Sequence, residues 1–133
     1  MTRRSSFSDR GAAAVEFAFV ALLLVSLLMG VMEFGRMWAI QGSLAQASRD
    51  AARTAAITDD AGAGQDKFGD VFWPLAPGGS TGIVTGSDVP VRTGTPGSED
   101  CRWTVAPTYQ ASSLTGMFGE WSITARGSMR CNG

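Results

Sequence analysis

The chain of 133 residues predicts an α+β fold: a membrane-length helix at the amino end and a small disulfide-closed β module at the carboxyl end. Three observations carry that prediction. From Ala12 to Met32 there are 21 residues with a single charge, Glu16. The helical pattern continues past that run and loses its support near Ile57, where Asp59-Asp60, Gly62 and Gly64 follow. Two stretches of period-2 alternation, each holding one cysteine, close the chain.

Residues 1–11 form a short basic leader, with Arg3, Arg4 and Arg10 against Asp9 and with Gly11 at its end. Residues 12–32 follow as the span. At 1.5 Å per residue they cover about 31 Å, enough to cross the hydrocarbon core of a bilayer. A buried helix of a soluble protein would carry a polar stripe, and none is written here. The apolar run is longer than the core of a secretory signal, and no Ala-x-Ala-like site follows it. The arginines before the span and Glu33-Phe34-Gly35-Arg36 after it place the amino end in the cytoplasm and the bulk of the chain outside. Trp38 stands where an interfacial aromatic anchor is expected.

Residues 33–57 read as a helical stalk beyond the membrane. Glu33 with Arg36, and Asp50 with Arg53, are opposite charges three apart, each pair worth a few tenths of a kcal/mol. Ala47, Ala51 and Ala55 make a small-residue stripe at i,i+4, continued by Leu44, which suits close packing against other helices; Ser26 and Gly30 repeat the small-xxx-small spacing inside the span. A lone stalk without a packing partner is the plainer alternative, because alanine is simply a good helix former.

Residues 58–100 read as Gly/Pro-rich loops. Four prolines and six glycines fall within 74–100, leaving room for short strands at Ile83-Val84 and at Val89–Arg92 around Gly86-Ser87-Asp88. Residues 101–133 read as two half-buried strands. Cys101, Trp103 and Val105 share one parity; Trp121, Ile123, Ala125, Met129 and Cys131 share another, with Gly127 as a candidate bulge. Both cysteines take the parity of the apolar side chains, so they face one core and can be bridged. A bridge of that span contributes roughly 3–4 kcal/mol in the chain-entropy model.

Composition excludes much. There is no histidine, which removes the commonest general base and metal ligand together. Asp66, Asp70 and Asp88 lack EF-hand spacing, no Cys-x-x-Cys is present, and no nucleophile motif or phosphate loop appears. No enzyme, cofactor or metal site is therefore expected. A net charge of -1, with ten scattered arginines among eleven basic residues, gives nucleic acid nothing to bind. The four tryptophans are assigned to the membrane interface and the small core.

A basic leader, a glycine, four small or apolar residues and then Glu16-Phe17 resemble the prepilin cleavage site of type IV pilin-like proteins. The resemblance implies that a prepilin peptidase cuts between Gly11 and Ala12. Ala12 would then carry a new ammonium group, one helical turn (about 6 Å) from Glu16. Glu16 of one subunit would pair with that amine on a neighbour and fix the register of bundled helices. The plainer reading is that Glu16 snorkels to the headgroups and Gly11 is an ordinary linker residue. Ala13-Ala14-Val15-Glu16-Phe17, Val31-Met32-Glu33-Phe34-Gly35-Arg36 and Gln46-Ala47-Ser48-Arg49-Asp50-Ala51-Ala52-Arg53-Thr54-Ala55-Ala56 together resemble the TadE-like family over about residues 10–57. Family members often have Glu-Gly-Ala-Arg where this chain has Asp50-Ala51-Ala52-Arg53. The resemblance implies a single-pass protein of the bacterial cytoplasmic membrane. It would be a minor pilin or pseudopilin of the Tad/Flp (tight-adherence) pilus assembly and secretion system, supporting pilus biogenesis and cell adhesion. Its partners would be the lipid bilayer, a prepilin peptidase and other pilin-like subunits through helix packing. The rival expectation is an uncleaved signal-anchor protein whose outer module binds an envelope partner or ligand.

Overall fold

The structure, a computed structural model, describes residues 7–74, 84–113, 116 and 119–131. Helix α1 is Phe7–Thr58 and helix α2 is Ala61–Phe72; strands β1 to β4 are Val84–Thr93, Arg102–Ser112, Glu120–Thr124 and Gly127–Arg130. The fold is α+β, with a long apolar amino-terminal helix, one antiparallel sheet and one disulfide, as the sequence predicts. The chain divides between Gly35 and Arg36 into two compact units.

The first unit is the apolar part of α1. The helix already includes Phe7–Arg10, so Gly11 lies inside it rather than ahead of it. Leu22, Leu23, Leu27 and Leu28 are each more than half exposed, and this helix is long and apolar enough to cross a membrane. Ser26, the one hydroxyl in the apolar run, donates to the Leu23 carbonyl at 2.8 Å, so the group brings no unpaired donor into an apolar environment.

In the second unit, α1 from Arg36 to Thr58 and α2 lie on one face of the sheet. Two rows of α1 side chains are buried, Ile40, Leu44, Ser48, Ala52 and Ala56 in one and Ser43, Ala47, Ala51 and Ala55 in the other. Each row steps by four residues, which is one helix face. The buried hydroxyls are satisfied within the helix: Ser43 donates to Ile40 O at 2.9 Å and Ser48 to Leu44 O at 2.7 Å. Among the described residues, Asp50 and Arg53 form no ion pair, so the expected stalk pair is not made.

The helix stops because Asp59 takes a left-handed conformation at φ 53°, held by a 2.8 Å ion pair to Arg92. Asp60 then caps α2, its Oδ1 accepting from the Gly62 amide at 2.8 Å. Here the structure departs from the loop reading of 58–100. Gly62, Gly64 and Gly69 each cost a helix about 1 kcal/mol relative to alanine, and that penalty hides the periodicity. Tertiary burial offsets it: Phe68 and Phe72 are buried and stack at 5.4 Å, and Phe72 meets Tyr109 edge-on at 5.3 Å. Each such ring contributes roughly 1.5–3 kcal/mol.

The strands also differ from expectation. Residues 84–93 form one strand, not two around a turn; Ile83 lies outside the described residues. The turn signal at Gly86-Ser87-Asp88 becomes a bulge. Ser87 faces Ala106 and Val91 faces Thr104, so Asp88, Val89 and Pro90 oppose Val105 alone. Proline is tolerated there because β1 is an edge strand.

Strand β2 is central, with β1 on one side and both β3 and β4 on the other. The pairs Val105–Gly127 and Thr108–Thr124 are separated by two residues on each strand, so no residue is inserted and Gly127 is not a bulge. The gap between β3 and β4 has a chemical cause. Ala125 donates to Pro107 O at 3.2 Å, but Pro107 has no N–H to return the bond. One register therefore runs from Ser112–Glu120 to Arg102–Arg130, and the next position along brings Cys101 opposite Cys131.

Inward side chains of β2 (Trp103, Val105, Pro107, Tyr109 and Ala111) are all buried. Tyr109, Val105 and Ala111 join Ile40, Leu44, Phe68 and Phe72 in the main core; Trp103 packs with Ala55 and Ala56. Trp121, expected in that core by parity, is 51% exposed. It shares the inward face opposite Ala111, but it stands at the end of the sheet.

Candidate functional site

The sequence places its candidate chemistry in the first turns of α1 and in the two cysteines. Gly11, Ala12, Glu16 and Phe17 are all helical and exposed, Phe17 at 74%. Ala12 and Glu16 are four residues apart and so share one side of the helix, about 6 Å apart along the axis. Among the described residues Glu16 has no ion-pair or hydrogen-bond partner. A side chain at Gly11 would meet nothing, nor would one at Gly30, so this surface is open for another helix to approach. Translocon scales set the cost of an acid at mid-membrane at roughly 3 kcal/mol, and a position near the helix end costs less. An acid buried at such a depth needs a cation or lipid headgroups to offset that cost.

The alanine stripe is a different matter. Ala47, Ala51 and Ala55 are each 0% exposed and are covered by the chain itself. A Cβ at Gly64 of α2 would lie 2.8 Å from the Ala51 carbonyl oxygen and 2.9 Å from the Ala55 Cβ. A Cβ at Gly127 of β4 would collide with the Ser48 carbonyl. Small residues on α1 thus admit α2 and β4 at close range. The expectation that this stripe meets other subunits is replaced by an internal packing role.

The cysteines form the expected bridge. Cys101 and Cys131 are disulfide-bonded with a Cα–Cα distance of 5.4 Å, and Cys101 is buried. Cys131 also donates its amide to Cys101 O at 3.1 Å, so the bridge closes the end of the β2–β4 ladder. Around it, the Arg92 guanidinium lies 5.4 Å from the centre of the Trp103 ring and pairs with Asp59, tying the disulfide end of the sheet to the end of α1.

The aspartates do not converge. Asp66 and Asp70 are exposed on α2, where with Gln65, Gly69, Trp73 and Pro74 they line an open groove. The Asp88 carboxylate instead accepts from Gln65 Nε2 at 3.4 Å. Among the described residues no three histidine, cysteine or acidic side chains are grouped to hold a metal ion.

Two features escaped sequence reasoning. One is α2, whose signal was Gly64, Phe68 and Phe72 at i,i+4. The other is a hydrogen bond from Arg36 Nη1 to the Ser112 carbonyl at 2.7 Å, across 76 residues of sequence, which nothing in a single sequence announces.

Compared with known proteins, residues 11–53 match the TadE-like protein family. The match begins at Gly11, takes in Glu16 and the whole apolar run, and ends within the buried face of α1. No curated protein and no solved structure matches the chain.

Proposed function

We propose, from the TadE-like match over residues 11–53, that this chain is a non-enzymatic pilin-like subunit (a minor pilin or pseudopilin) of a Tad/Flp-type pilus assembly and secretion system. The observation that carries the reading is the place of the match. It covers the exposed, membrane-length half of α1 and continues to Arg53 of the half that packs in the folded module, so it takes in a helix divided at Gly35/Arg36 into an open half and a packed half. That division suits a subunit which is held in the bilayer, and later bundled, through its first half. The amino end lies in the cytoplasm and the module outside, as the arginines of the leader favour. Support for pilus biogenesis and adhesion follows from membership of such an assembly.

In this reading a prepilin peptidase removes residues 1–11, Ala12 becomes the amino terminus, and Glu16 pairs with the Ala12 ammonium of a neighbouring subunit. Gly11 suits the cut for a physical reason. The bond to be hydrolysed lies in a helix that starts at Phe7, and a protease needs that turn opened. Glycine lowers the cost of opening by about 1 kcal/mol relative to alanine. The rival reading, an uncleaved signal anchor whose module binds an envelope partner, draws on the same helix, which is unbroken across Gly11.

The amino terminus of the protein recovered from membranes separates the two. Ala12 as first residue is the expected result. An intact Met1 in cells with an active prepilin peptidase sinks the pilin reading and leaves the anchor.

A further inference from the structure

We propose that the β2–β3 end of the outer module rests on the bilayer surface, with Trp121 as a second interfacial anchor beside Trp38. The inference rests on the membrane-anchored reading above and adds to it a lipid contact made by the sheet. Arg36 follows Met32, the last residue of the apolar run, by four positions of continuous helix. Chain connection alone therefore keeps Arg36 within about 6 Å of the hydrocarbon boundary along the helix, inside the headgroup layer. Arg36 holds the Ser112 carbonyl at 2.7 Å. Ser112 faces Glu120 across the ladder and Ala111 faces Trp121. One hydrogen bond thus ties the end of the sheet to Arg36, the residue at which its own unit begins.

Next to that hydrogen bond, in sequence and in strand register, lie the module's two most exposed tryptophans. Trp38 is 71% exposed and Trp121 is 51% exposed, whereas Trp103, at the disulfide end of the sheet, is 5% exposed. Trp38 and the buried Ile40 are two residues apart, about 200° around α1, so Trp38 faces away from the core. Trp121 emerges from the sheet side. Along β3 the inward face is half-covered at Ile123 but open at Trp121. Tryptophan is the side chain enriched where one end of a group is apolar and the other wet. The other exposed apolar residues of the module, such as Ile57, Val89 and Val91, are aliphatic, and none is joined by a described contact to the start of the stalk.

The test uses the full chain in nanodiscs made with either ordinary or acyl-brominated phosphatidylcholine, bromine quenching only tryptophans that reach the acyl boundary. The wild-type chain should lose emission in the brominated discs through Trp38 and Trp121 together. A Trp38→Phe variant should still lose part of its emission, and a Trp38→Phe/Trp121→Phe variant should lose none. Acrylamide, an aqueous quencher, should reach Trp121 of the Trp38→Phe chain less in discs than in dilute detergent. An intact Cys101–Cys131 bridge in each variant shows that the module has folded. Equal quenching of the single and double variants, with wild-type quenching preserved, overturns the proposal alone. Absence of bromine quenching in the wild type overturns the anchored reading and the proposal together.

Discussion

Replacing Gly127 with alanine tests whether the sheet and α1 meet as closely as the structure has them. A Cβ at this position would fall within contact of both the carbonyl carbon and the oxygen of Ser48, and 2.7 Å from the Arg49 amide nitrogen. All three are backbone atoms well inside a 52-residue helix, so no side chain can swing aside. Either β4 must leave the helix, straining a ladder tethered by Cys101–Cys131, or α1 must move and open the contacts of Ala52 and Val105. Overpacking of this kind costs about 1–3 kcal/mol. The same substitution gains about 0.4–1 kcal/mol by stiffening the unfolded chain. The net expectation is a loss of about 1.3 kcal/mol, or roughly 5–10 °C in Tm for a domain of about 100 residues. Gly42→Ala is the control, because Gly42 is an exposed helical glycine with nothing within 4 Å of a Cβ. It should gain about 1 kcal/mol from helix propensity alone. The two variants therefore move Tm in opposite directions when full-length protein in detergent is heated and followed by circular dichroism and tryptophan emission. A neutral or stabilising Gly127→Ala would refute the close approach of β4 to Ser48.

Three further outcomes follow. The paired Cys101→Ser/Cys131→Ser variant should lose roughly 3–4 kcal/mol, the chain-entropy value for a bridge 30 residues apart, and reductant should lower the wild-type Tm to match; a Tm indifferent to reductant would contradict this. Asp60→Ala removes the acceptor for the Gly62 amide and should cost about 1 kcal/mol, read as a lower urea midpoint and faster amide exchange in α2. Glu16→Ala should be cleaved as well as the wild type but fail to co-assemble with other pilin-like subunits; normal assembly would remove the amine-pairing idea.

The sequence exposed the parts of the fold governed by one strong local rule. An apolar run without a polar stripe admits one interpretation, and alternation on β2 placed Trp103 and Val105 inward, where they are buried. Parity predicted the disulfide because one unbroken register brings Cys101 opposite Cys131, and parity is insensitive to the missing Pro107 bond. What stayed hidden was whatever tertiary contact decides against local preference. Glycine at positions 62 and 64 argued for the end of the helix, yet Gly64 is in α2 because only a residue without a side chain fits against Ala51 and Ala55. Gly86-Ser87-Asp88 argued for a turn and became the start of a bulge that presents Pro90 to α2. Trp121 had the right parity and the wrong depth, because parity gives the face of a sheet and not whether anything covers it.

The covered alanine stripe changes where an assembly surface can be sought. Before the fold is known, Ala47, Ala51 and Ala55 are the natural seam for a partner helix, and the apolar run is merely lipid-facing. The structure commits that stripe to α2 and β4, leaving another subunit no access to it without unfolding the module. Open small residues remain on α1, among them Gly11, Ala12 and Gly30 in the apolar unit. Lipid and another apolar helix offer those side chains nearly the same environment, so burial alone cannot select one register over another. A polar group can, because its pairing energy depends on axial position. Glu16 is the one charge between Ala12 and Met32. If subunits assemble through this half of α1, the proposed Ala12 amine and Glu16 carboxylate are the pair able to set their register, which is why Glu16→Ala should spare cleavage and abolish assembly.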